Sequence, residues 1–100
     1  MNSPSVNRES VLLSLQRALV GEVFPALRAV TVEWSESAVK FIAYVDGELE
    51  EADSDSLSSV AAEVSADFPP SVEVDYEIVR RDGSAAIQDG RLRVFRRREQ

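Results

Sequence analysis

The sequence predicts an α+β fold: a single domain in which two helices pack on a four-stranded, mostly antiparallel sheet. Apolar residues recur at three- and four-residue spacing in two separate segments, residues 11–23 and 57–68, as on one face of a helix. In the segments between and after them the apolar period drops to two, as on one face of a strand. Breakers separate the segments, with Asp46-Gly47 as a turn and Pro69-Pro70 as a stop. One hundred residues hold one core. The domain is therefore expected to span residues 1–100, with 1–4 and 97–100 as flexible ends.

The elements follow in the order α-β-β-α-β-β. Val11, Leu12, Leu15, Ala18, Leu19 and Val23 form the buried stripe of the first helix. Ser3-Pro4 and Asn7 are alternative N-terminal caps, and Pro25 places the end near residues 21–23. In "LRAVTVEW", Val30, Val32 and Trp34 share one face and Thr31 and Glu33 the other. A short polar break, "SES", leads to "AVKFIAYVDG", apolar on both faces apart from Lys40. Such a strand is either central and covered on both sides or an interface. The second helix, over 50–67, buries Leu57, Val60, Ala61, Val64 and Phe68. In "SVEVDYEIV", Val72, Val74, Tyr76 and Ile78 oppose Glu73, Asp75 and Glu77. "RRDGSAAIQDG" is a connection. The last strand, "RLRVFRRR", turns Leu92 and Val94 inward and Arg91, Arg93, Phe95 and Arg97 outward. The strand order does not follow from these patterns.

Composition excludes several function classes. With no cysteine there is no disulfide, thiolate nucleophile or Cys-based zinc site. With no histidine, the commonest general base and the commonest metal ligand are missing, so the expectation is no enzyme, no cofactor and no catalytic residue. No run approaches the ~18 apolar residues that cross a bilayer, and no secretory signal is visible, which points to the cytoplasm and away from membranes.

Charge carries the strongest signal. The net charge is −7, and residues 41–79 hold eleven acids and no Lys or Arg. Residues 80–98 hold seven arginines against Asp82 and Asp89. The stretch "DGELEEADSDS" alone contributes Asp46, Glu48, Glu50, Glu51, Asp53 and Asp55. Read as a calcium loop from Asp53, it fails where Ser58 and Val64 stand in place of the required Gly and Glu, so no metal is expected. Read as a helix start, Glu50, Glu51 and Asp53 meet the free backbone N–H groups of the first turn, worth roughly 0.3–1 kcal/mol each. That accounts for three acids but not for Asp46, Glu48 or the absence of lysine on the outer face. A solvated helix usually mixes both signs. The outward side, with Glu51, Asp55, Ser58, Ser59, Ala62 and Ala66 flanked by Glu63, is smooth and acidic. The expected partner-binding residues are therefore Asp46, Glu48, Glu50, Glu51, Asp55, Ser58, Ser59, Ala62 and Glu63. The arginines read differently. If the last two strands pair, Arg91, Arg93 and Arg97 lie beside Glu73, Asp75 and Glu77, so cross-strand balance is expected rather than nucleic-acid binding. Trp34 and Tyr44 are assigned to packing, and the Asp-Gly pairs to turns.

The element order and the strings "LRAVTVEW", "AYVDGELEEADSDSLSSVAAEVSADFP" and "EVDYEIVRRDG" resemble small acidic bacterial immunity proteins of contact-dependent growth inhibition and related polymorphic toxin systems. The resemblance covers about residues 12–95. Its most specific parts are Glu33-Trp34, Asp46-Gly47-Glu48 before an acidic helix, and "ADFP" at 66–69. It implies a stoichiometric inhibitor that binds the toxic C-terminal domain of a cognate effector inside the cell, as a 1:1 heterodimer, and covers its active site. Many such toxins are nucleases with basic clefts, which an acidic face would match. The free protein is then expected to be a monomer. Contact residues vary with the toxin in this family and do not carry over by position, and the dense arginine tail departs from its pattern. The alternative is a small oligomeric structural or adaptor subunit that uses the apolar second strand as its interface.

Overall fold

The computed structural model describes residues 6–83, 85–87 and 91–98. The Ser3-Pro4 cap and the ends 1–4 and 99–100 lie outside them. Helix α1, Arg8–Leu19, starts at Asn7. The Asn7 side chain accepts from the Ser10 N–H at 2.9 Å, and the Ser10 hydroxyl accepts from the Asn7 N–H at 3.0 Å. This capping box satisfies two otherwise orphaned donors. The helix ends at Leu19 rather than at 21–23, and Gly21 takes φ +81° just beyond it. A glycine in the left-handed region stops the helix before Pro25 can. Val23, expected on the buried stripe, lies past that turn and is 47% exposed.

Strands β1 (Leu27–Ser35) and β2 (Ala38–Val45) form an antiparallel hairpin, and α2 (Glu51–Ala66) then leads to β3 (Glu73–Arg80) and β4 (Leu92–Arg96). The sheet order is β3-β2-β1-β4. Strand β4 is antiparallel to β1, whereas β3 is parallel to β2. A parallel neighbour needs a long crossover, and α2 supplies it. The expected pairing of the last two strands is therefore overturned: β3 and β4 occupy opposite edges of the sheet.

Both helices cover one face. Val11 and Leu15 from α1, Leu57, Val60 and Val64 from α2, and Leu27, Val30, Val39 and Phe41 from the hairpin are fully buried together. Strand β2 is apolar on both sides because it is central. Val39, Phe41, Ala43 and Val45 join the helix-side core, while Ile42 and Tyr44 pack with Ala29 on the other face beneath Val79 and Ile87. Trp34 is half-buried against the helix-side core.

Two register irregularities reassign side chains. One, between Leu27 and Ala29, leaves Arg28 only 3% exposed. Its Nη1 donates to the Arg81 carbonyl at 2.7 Å and the Ala85 carbonyl at 2.8 Å, which ties the segment after β3 across the back of the sheet. The other sets Phe95 opposite Val30 although Arg93 is opposite Thr31. An extra residue in an edge strand reverses the alternation beyond it. Phe95, expected outward, therefore packs against the helix-side core.

Candidate binding surface

Helix α2 sets the surface. Leu57, Val60 and Val64 point into the core, so positions 51, 55, 59, 62 and 66 point away at helical spacing. Glu51, Asp55, Ser59, Ala62, Glu63 and Ala66 are all exposed, as are Glu48 and Glu50 just before the helix. Glu50 is the N-cap but makes no side-chain capping bond, and Glu51 and Asp53 occupy the first turn. Among the described residues, none of Glu48, Glu50, Glu51, Asp55 or Glu63 forms an ion pair. The last turn of α2 carries no basic residue. Ser58 sits at the border of this face, its hydroxyl hydrogen-bonded to that of Tyr76 at 3.1 Å.

Asp46 stands apart from the other acids. Its Oδ1 accepts from the Gly83 N–H at 2.9 Å, and its Oδ2 lies 3.6 Å from Arg97. In return, Asp82 Oδ1 accepts from the Gly47 N–H at 2.7 Å. Strands β2 and β3 thus end in two Asp-Gly turns, each clasping the other. Arg80 closes on both Asp82 oxygens, at 2.8 and 2.9 Å. The Arg80 hydrogen bond, then the Gly47 N–H, hold the Asp82 carboxyl below its usual range. Both glycines have positive φ, +78° and +57°, a conformation that favours glycine. The turn chemistry of these dipeptides was legible in the sequence. Their mutual clasp was not, because it depends on the parallel pairing.

The arginines also find other partners than expected. Arg91 pairs with Glu33 of β1 at 2.9 Å, and Arg97 reaches Asp46 and the Pro25 carbonyl. Of the β3 acids, Glu77 lies 3.5 Å from Lys40. Three inter-strand spacings, about 14 Å, separate β3 from β4, so Glu73 and Asp75 are out of reach of the β4 arginines.

Among the described residues no group of three or more acids converges as a metal site would require. No helix among them is long and apolar enough to cross a membrane. The exposed face of α2 offers negative charge and small side chains.

Comparison of the sequence with family models decides the class. The model of the MafI2 immunity protein family matches residues 8–99, nearly the whole chain. The chain belongs to that family. No curated protein matches it. The MafI2 match makes it an immunity protein of a polymorphic toxin system, whose work is to bind and neutralise a cognate toxin. Immunity proteins of this kind generally act by binding, without a reaction of their own. The match spans both helices and all four strands, so the acidic helix and the arginine edge both belong to the family domain.

Proposed function

We propose that this MafI2 immunity protein neutralises the toxic C-terminal domain of a contact-dependent effector by docking the acidic face of α2 over its active site. The reading assigns the contact to Glu48, Glu50, Glu51, Asp55, Ser58, Ser59, Ala62 and Glu63, with Asp46 at the margin, where it also braces the fold. One observation carries it: a row of exposed carboxylates, Glu48, Glu50, Glu51, Asp55 and Glu63, that form no ion pair among the described residues. A row of that kind imitates the phosphates of a nucleic acid and fits the basic cleft of a nuclease. Binding takes place in the cytoplasm as a 1:1 heterodimer, and the free protein is a monomer. The apolarity of β2, which motivated an oligomeric subunit, is consumed inside the fold.

The test is reversal of Glu51 and Asp55 to Lys together. Both side chains stand clear of the buried stripe, so the variant should fold and accumulate. It should lose several kcal/mol of toxin affinity, through lost pairing and new like-charge repulsion. Cells carrying it should lose protection. Full protection by a folded double variant would exclude the α2 face.

A further inference from the structure

The two edges of the sheet are built differently. Strand β4 is short, five residues, bulged against β1, and carries Arg93 and Arg96, all devices that discourage a further strand. Strand β3 runs eight residues in unbroken register with β2, from Ala38 beside Glu73 to Val45 beside Arg80, and holds no proline. The Glu73 and Arg81 N–H groups donate to the Ser37 and Val45 carbonyls, so the odd-numbered residues of β3 turn their backbone groups toward β2. Those of Val74, Tyr76, Ile78 and Arg80 point out of the sheet edge. The Asp75 carboxylate covers the Tyr76 N–H at 2.8 Å, and Arg81 donates to the Arg80 carbonyl at 3.0 Å. Neither backbone group of Val74 or of Ile78 is hydrogen-bonded among the described residues.

An open edge of that length is a template for another strand. The neighbouring side chains select its chemistry. Glu73 and Asp75 are exposed on the face away from the helices and form no ion pair among the described residues. On the helix side, Ile78 is 36% exposed. The Ser58–Tyr76 hydrogen bond sets the register of α2 over β3, which run in opposite directions. Two residues along the strand, about 6.6 Å, match about four along the helix, so Ile78 comes level with Ser54, between Glu51 and Asp55. A second copy of this chain would set acid against acid across the new pair. A strand with lysine or arginine at alternate positions would instead meet opposite charge. We infer that the β3 edge receives an extended, basic strand of the toxin, which extends the sheet beside α2. The inference takes its partner from the α2 docking reading, since the edge and the helix face adjoin at Ser58 and Tyr76.

Amide hydrogen exchange of the full chain, free and saturated with the cognate toxin domain, reads the edge directly. The Val74 and Ile78 amides should exchange fast in the free protein and about tenfold or more slower in the complex. Those of Asp75, Glu77 and Val79, already turned to β2, should be slow in both. Ile78→Pro removes one outward donor without touching the β2 ladder, since an edge tolerates proline whose nitrogen faces solvent. It should keep the parent's Tm and weaken toxin binding about tenfold or more, whereas Ile78→Ala, which keeps the N–H, should weaken it less than about threefold. Equal losses in the two variants would mean a side-chain contact and overturn the strand pairing. So would unchanged exchange at Val74 and Ile78 in the complex, a reading of the parent that stands even where Ile78→Pro folds poorly. Protection of those amides in the free protein that rises with its concentration would put a second copy on the edge and overturn the toxin strand. Glu51→Lys/Asp55→Lys tests the helix face separately. Lost binding in that variant, with exchange at Val74 and Ile78 unchanged in the parent complex, sinks the strand alone. Full binding by it, with those amides protected, sinks the α2 face alone.

Discussion

Asp82 and Asn7 show how single side chains fix the ends of elements. Asp82 accepts from Arg80 and from the Gly47 backbone, and those bonds favour its charged form. A carboxyl whose folded pKa is lowered adds stability that is complete above its unfolded value, near 3.8. That contribution fades as pH falls from there through the folded pKa. Asp82→Asn removes the titration, so its stability should change less steeply with pH below about 4 than the parent's, although the variant is the less stable at pH 7. Urea unfolding at pH 7, 4 and 3 measures both slopes; parallel slopes would remove Asp82 from the acid response. Asn7 acts at the other end of the fold. Asn7→Ala breaks the capping box and should cost about 1 kcal/mol, within the range of roughly 0.5–2 for lost caps. The same urea titrations at pH 7 check it, and an unchanged midpoint would mean that the first turn is held by other contacts.

Among the elements, β3 is the one whose attachment most needs explaining, since it is an edge strand with one neighbour. Its ladder to β2 is reinforced by Tyr76, whose ring stacks on Phe41 at 5.2 Å between centroids and 9° between planes. The Tyr76 hydroxyl then reaches Ser58, so one residue links β3 to both β2 and α2. Tyr76→Phe should cost about 1 kcal/mol or less, the worth of one hydrogen bond at the surface. Tyr76→Ala should cost roughly 2–3 kcal/mol, below the ~3–5 for a fully buried aromatic, because the ring is only half-buried. Chemical denaturation of the two variants separates hydroxyl from ring. The stripe that places Tyr76 inward is plain in "SVEVDYEIV", as are both helices and the hairpin. The pairing of β3 is a different matter. Alternation reports which way side chains point and is the same for either edge and either direction. A sixteen-residue helix between two strands does hint at a parallel crossover, yet the expectation for the arginines rested on sequence adjacency of the last two strands. The bulges at Arg28 and Phe95 leave no pattern to read, since each inserts one residue without changing composition. For that reason the acidic surface was visible in the sequence and the placement of the arginines at the far edge of the sheet was not.

For the whole molecule, the fold turns a charge gradient along the chain into one across space. Seven of the eleven acids of residues 41–79 lie on α2 and β3, and the arginines of 91–98 gather on and beside β4, the opposite edge of the sheet from β3. Among the described residues local pairing does not cancel this polarity, since Arg93, Arg96 and Arg98 form no ion pair there. A partner approaching in solution meets a dipole and is turned before contact, which raises the productive encounter rate. If α2 leads, the association rate with the cognate toxin should fall about tenfold or more between low salt and physiological salt, where the screening length is about 8 Å. Glu51→Lys/Asp55→Lys should lower the rate and flatten that dependence. Arg93→Gln/Arg96→Gln should leave the rate unchanged or raise it slightly, since it removes charge of the repelled sign. Stopped-flow or surface-based association at several salt concentrations distinguishes the ends. A rate that drops on losing the two arginines, with α2 reversal harmless, would mean that β4 is the leading edge and that the toxin surface is acidic.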